Sequence, residues 1–156
     1  MAVFDINWDR WIAASINQHF ETNRGTLNMF VEGQERRLTN TQTSYIELRQ
    51  DGTGWQEMSR DNWKGRVEVN VLVASVINTD LYLPNRMVGQ VTAILQRCIP
   101  VFRYGTGVQD DGTQVGELIL MTEDRDRGHR IHKYGQIEQA IALMQSSVEA
   151  SYKIWL

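Results

Sequence analysis

The chain has 156 residues, 42% hydrophobic and 22% charged, which suits one globular domain with a real core and excludes a disordered or low-complexity polypeptide. A formal net charge of −3 and a pI near 5.6 give no basic footprint of the kind duplex-binding domains need to neutralise phosphates, so nucleic-acid binding is disfavoured as the main activity. The single cysteine, Cys98, excludes an internal disulfide and fits a reducing cytoplasm. The N-terminal stretch lacks the basic start and apolar run of a signal peptide, and no segment approaches the ~18 uninterrupted apolar residues of a membrane span, so a soluble protein is expected.

Asp5 can cap a first helix running to about residue 20, because Trp8, Trp11, Ile12, Ile16, His19 and Phe20 recur at three- and four-residue spacing. Gly25 in TNRG stops it, and Leu27, Met29 and Val31 then alternate as a short strand. EGQERRLTNTQTS is polar and aperiodic, a long connection for a hairpin, before Ile46 and Leu48 mark a second strand in YIELR. QDGTGWQEMSRDNWKG is built of turn formers and charges and reads as a loop carrying Trp55 and Trp63. In GRVEVNVLVAS, Val67, Val69, Val71 and Val73 alternate with Arg66, Glu68, Asn70 and Leu72, the cleanest strand pattern in the chain.

Pro84 suits the first turn of a second helix reaching about residue 99, with Met87, Val88, Val91, Ile94, Leu95, Cys98 and Ile99 on one stripe and Pro100 ending it. VFRYG and TQVGELILMT follow as strands around the turn GTGVQDDG, and EDRDRGHRIHKYG reads as an exposed charged loop. Residues 136–146 are ambiguous. Ile137, Ala140, Ile141 and Met144 suit a short helix, the assignment adopted, while Ile141 and Leu143 also suit the start of a strand. From Val148, the residues Ala150, Tyr152, Ile154 and Leu156 alternate with Ser147, Glu149, Ser151 and Lys153 as a half-buried strand; Trp155 alone breaks the rule by standing on the polar side. No repeat or linker divides the chain. The expected fold is a single α+β domain over residues 1–156, a mostly antiparallel sheet with one-striped helices packed on one face.

Chemistry is sparse in this pattern. His129 and His132, with Asp124 and Asp126, supply nitrogen and oxygen ligands of the kind zinc or manganese accepts, but arginines stand among them and the spacing is not that of a helix-borne metal pair. A solvated charged loop is the expected reading. Cys98 falls in the helix stripe, which makes it core rather than nucleophile. GTGVQDDG is followed by a strand, not the helix that phosphate-cradling loops require. Glu117, Glu123 and Asp124 can be drawn as an acid and base pair, yet no pocket is placed around them. No enzyme class, catalytic residue, metal or cofactor is therefore expected.

Large aromatics in polar settings are the stronger signal. Trp55 and Trp63 in a polar segment, and Trp155 on the polar side of a strand, fit protein contacts, where they bury much area at little entropic cost. The alternative is that each folds over its own core as a lid. Arg125 and Arg127, in the charged stretch, join them as interface candidates.

The helix at the start, the GRVEVNVLV strand feeding a helix between residues 65 and 99, and the closing SSVEASYKIWL together resemble the tail terminator and tail-completion proteins of long-tailed bacteriophages. The resemblance covers the order of elements over nearly the whole chain; residues 32–44 and 50–64 look longer than a minimal member needs. It implies a structural virion protein that forms a ring of its own copies, a hexamer, at the head-proximal end of the tail tube. There it ends tube polymerisation and joins the tube protein to a neck or connector protein, with DNA passing through the lumen without specific binding and no membrane involved. It carries over no active-site residues. A neck or head–tail connector of the same virion is the alternative, followed by a small ligand- or peptide-binding domain, which would need a concave apolar pocket.

Overall fold

In the computed structural model, which describes residues 5–32, 44–76, 82–122, 128–138 and 143–155, the valine alternation forms the centre of the sheet. The elements in order are α1 (Trp8–Asn23), β1 (Met29–Val31), β2 (Ser44–Ser59), β3 (Asn62–Val76), α2 (Leu83–Ile94), β4 (Cys98–Phe102), β5 (Gln114–Leu120), β6 (His129–Glu138) and β7 (Leu143–Trp155). The strands lie in one sheet of order β1-β2-β3-β7-β5-β4, with β6 also on β7. Every pairing is antiparallel except β1 with β2, which is parallel and accounts for the long connection between them. The fold is α+β, as expected.

Side-chain alternation sorts β3 and β7 into two faces. Val67 stands opposite Tyr152, Val69 opposite Ala150 and Val71 opposite Val148, and all six are buried. The same core holds Val91, Ile94 and Leu95 near the end of α2, and Trp11, Ile12, Ile16 and Phe20 of α1. The helices thus cover this inner face, with α1 on β4 and α2 on β3 and β7. Ser15 fixes the first contact by accepting a hydrogen bond from the Phe102 N–H at 2.9 Å and facing its carbonyl at 3.3 Å. His19 Nε2 bonds the Ile94 carbonyl at 2.8 Å and ties the two helices together.

Several expected boundaries move. Asp5 does not cap α1; its carboxylate accepts from the Asn7 backbone and side chain at 2.8 and 2.9 Å, forming a turn ahead of the helix, and Asn7 takes the N-cap position. The segment carrying Trp55 and Trp63 is no loop. It is the far half of a long β2–β3 hairpin joined at Arg60 and Asp61, and Asp61 adopts a φ of 64°. Its polar residues pair across the ladder although most are exposed.

Helix α2 ends at Ile94, where Leu95 leaves the helical region with ψ 72°, and the stretch expected to close the helix forms β4 instead. Ile94, Leu95 and Ile99 fit both a helical stripe and a turn followed by a strand, and Pro100 is accepted because β4 is an edge strand. Cys98 is consequently exposed rather than core.

The charged stretch and the short helix after it also change. Residues 129–138 form β6 and β7 begins at Leu143, so the helix assigned over residues 136–146 is replaced by strand on both sides of residues 139–142, which lie outside the described residues. Register shifts between Lys133 and Gly135 and between Gln136 and Glu138 break the two-residue alternation that would have signalled a strand.

Candidate functional site

The three candidate tryptophans do not share a face. Trp55 stands opposite Gly65 on the inner side and packs on the core, its ring 6.3 Å from that of Trp8, which in turn meets Trp11 edge-on at 5.7 Å. The contact depends on Gly65: a Cβ there would lie 2.6 Å from Trp55 Cζ3 and 2.7 Å from Ile154 Cγ2. A glycine between two large neighbours on adjoining strands lets both lean over it. Trp63, half-buried, belongs to the same side two residues earlier. Trp55 thus acts as a lid on its own core.

Trp155 is different. It stands opposite Lys64 on the outer face, is 50% exposed, and has the Lys64 Nζ 5.3 Å from its ring centroid. Cation and indole face each other without burial, an arrangement worth about 0.5–1 kcal/mol at exposed positions. Around it on the outer face lie Arg66 and Lys153, and Arg66 bonds Glu68 at 2.6 Å. A groove of about 340 Å³ adjoins this strip, lined by Gly54, Trp55, Gln56, Lys64, Arg66 and Met121. Arg125 and Arg127 lie outside the described residues.

The residues considered for chemistry are put to other uses or kept apart. His129 Nε2 bonds the Leu95 carbonyl at 2.5 Å, so this histidine caps the end of α2 rather than standing in a solvated loop, and His132 faces Glu149 at 3.4 Å. Asp124, Asp126 and Glu123 lie outside the described residues, among which no group of three His, Cys, Asp or Glu side chains is placed to hold a metal ion. The Cys98 thiol is pushed up by desolvation and by Glu117 beside it, the opposite of what an activated nucleophile needs. GTGVQDDG is the β4–β5 hairpin turn, as its flanking strands suggest.

That turn contains a polar node the sequence did not announce. Asp110, its side chain 1% exposed, accepts hydrogen bonds from Arg10 Nη2 at 2.8 Å, Trp11 Nε1 at 2.7 Å and the Gly107 N–H at 2.9 Å. Arg10 first, then Trp11 and Gly107, hold its carboxyl well below the usual carboxylate range. The node fastens the turn to the start of α1. Its only sequence signal is an acid inside a glycine-rich turn, and its side-chain partners Arg10 and Trp11 are about a hundred residues away.

Among the described residues no helix is long and apolar enough to cross a membrane. No protein-family model matches the chain, and no curated protein matches it at a significant level.

Proposed function

We propose that this protein is a structural component of a long-tailed bacteriophage virion: a ring-forming tail terminator that ends tube polymerisation at the head-proximal end and joins the tail to the neck. The observation that carries the reading is Trp155, a large indole left 50% exposed on the outer face of a central strand. An apolar side chain of that size contributes little to a lone subunit at such a place and much to a contact between proteins. His129 and Asp110 hold elements of the fold together, a structural use of polar groups that accords with an assembly role.

The ring requires one patch of each copy to meet a different patch of the next, and its closure depends on the angle between them. Trp155 supplies the anchor on one side of that contact. The test is tube assembly in vitro. Purified tube protein polymerised with this chain is expected to give short tubes capped by a ring in electron micrographs, and with Trp155→Ala longer tubes and fewer caps. Unrestricted tube length with the wild-type chain overturns the terminator assignment and moves the neck connector to first place. Normal capping by folded Trp155→Ala removes the indole from the contact.

A further inference from the structure

One end of the outer face of the sheet gathers cations on adjoining strands. In the β3–β7 ladder Arg66 stands directly opposite Lys153, and Lys64, the next residue of that face, stands opposite Trp155. Like charges at directly opposed positions destabilise an antiparallel pair. The chain has 19 acidic residues against 16 Lys and Arg, so cations are its scarcer charge, yet they converge on two neighbouring rungs. Glu68 offsets one of these charges by pairing with Arg66 at 2.6 Å, and the two rungs with Glu68 still bring three cations together against one acid.

Three further observations define the ligand. Lys64 and Arg66 project from the same face at the two-residue repeat of a strand, about 6.8 Å, which suits anionic groups recurring at a regular step. Trp155 presents a half-exposed indole at the end of the strip, beside a cation. The strip also lies on strands bonded on both sides, β3 to β2 and β7, so no open edge is offered there to a peptide adding itself as a strand. The ligand therefore meets side chains only.

We propose that this strip binds the phosphate backbone of nucleic acid without reading its sequence. Lys64, Arg66 and Lys153 meet phosphates, and Trp155 offers its ring to an unpaired base, the combination of cationic track and stacking platform that sequence-tolerant binding uses. The acidic total of the chain does not oppose this, because net charge averages over faces and phosphates sense the local field. The binding is a property of the single subunit; it shares Trp155 with the proposed ring contact, so Lys64, Arg66 and Lys153, which that contact does not invoke, are the residues whose replacement separates the two activities.

The experiment is fluorescence anisotropy of the purified full chain with labelled DNA of about 20 nucleotides, single-stranded and duplex, with polyglutamate as competitor. If three phosphates are neutralised, duplex affinity should fall about 40-fold between 50 and 200 mM salt. Replacing Lys64, Arg66 and Lys153 together by Gln should weaken binding about tenfold or more while the protein keeps a cooperative melt, because relief of the Arg66–Lys153 opposition offsets part of what is lost with the Arg66–Glu68 pair and the Lys64–Trp155 contact. Lys64→Arg with Lys153→Arg should retain it. Trp155→Ala should cost the single strand about fivefold or more and the duplex less. Absence of binding at 50 mM salt overturns the proposal. So does binding indifferent to the triple substitution, and so does displacement by polyglutamate at equal charge, which would assign the strip to an acidic protein surface.

Discussion

The two faces of the β3–β7 ladder are made by the same residues' neighbours and obey opposite rules. On the inner side every rung from Val67 to Val71 pairs apolar with apolar, and the helices exclude water. On the outer side the rungs set Lys64 against Trp155 and Arg66 against Lys153, combinations that burial would not tolerate and that folding does not require. The difference teaches that the inner face specifies the fold, while the end of the outer face around Lys64 and Trp155 can serve a contact; the other end of that face, with Tyr45, Glu47, Ala74 and Ser147, is buried. Substitutions of similar size on the two faces should therefore have very different costs.

The largest effect is expected at Val69, 1% exposed. Val69→Asp places an unpaired carboxylate in the core at a cost of several kcal/mol, about 3–5 by analogy with an orphaned buried charge, against a total stability of about 5–15. No cooperative melt should be seen by circular dichroism at room temperature; a folded variant would show that the inner face is not dry. Gly65→Ala comes next. Its backbone needs no unusual angle, so the cost is overpacking against Trp55 and Ile154, about 1–3 kcal/mol, read as a lower midpoint in urea.

The Asp110 node tests how far the helix layer protects the inner face. A carboxyl whose folded pKa lies below its ordinary 3.8 contributes stability that is fully present above that value and is lost as pH falls below it. Asp110→Asn should lower the melting temperature at pH 7 by less than Gly65→Ala does, and the gap to wild type should narrow as the pH is taken below about 4. A gap that is constant with pH would show that the charge of Asp110 is not what holds α1. The smallest effect belongs to the outer face. Trp155→Ala forfeits its contact with Lys64 and should cost less than about 1 kcal/mol, moving the melting temperature by no more than about 2–4 °C. A larger shift would mean that the indole is part of the core after all.

The same two faces explain what could be read in the sequence. β3 and β7 pair without interruption from Lys64 and Trp155 to Val76 and Leu143, and where the alternation is clean, over residues 66–73 and 148–155, both are legible, including the anomaly at Trp155; at the start of β7, where Ser146, Ser147 and Val148 are buried in succession, the strand reads as the end of a helix instead. β2 and β6 contain register shifts that swap the parity of their side chains; the near half of β2, YIELR, reads as a strand, but its far half beyond the first shift reads as a loop, and β6 reads as a charged loop running into a helix. The end of α2 failed for another reason: Ile94, Leu95 and Ile99 satisfy a helical and an extended spacing alike, and the choice is made by the neighbours β4 finds in β5. Trp155 was found as an oddity of parity. The opposition of Arg66 and Lys153 could not be, because it exists only once the register of two distant strands is known.

The hairpin of β2 and β3 closes through a tight turn, whereas β3 gains its second partner only from β7, far along the chain. Local pairing forms in microseconds and distant pairing much later. A newly made chain is therefore expected to pass through a stage in which the ribbon exists with Ile46, Leu48 and the valines of β3 open to water and one long edge unpaired, the condition under which strands join the wrong molecule. Refolding yield should fall steeply as protein concentration rises, and recover when a holdase chaperone is present until β7 has docked; a yield independent of concentration would show that the ribbon never accumulates.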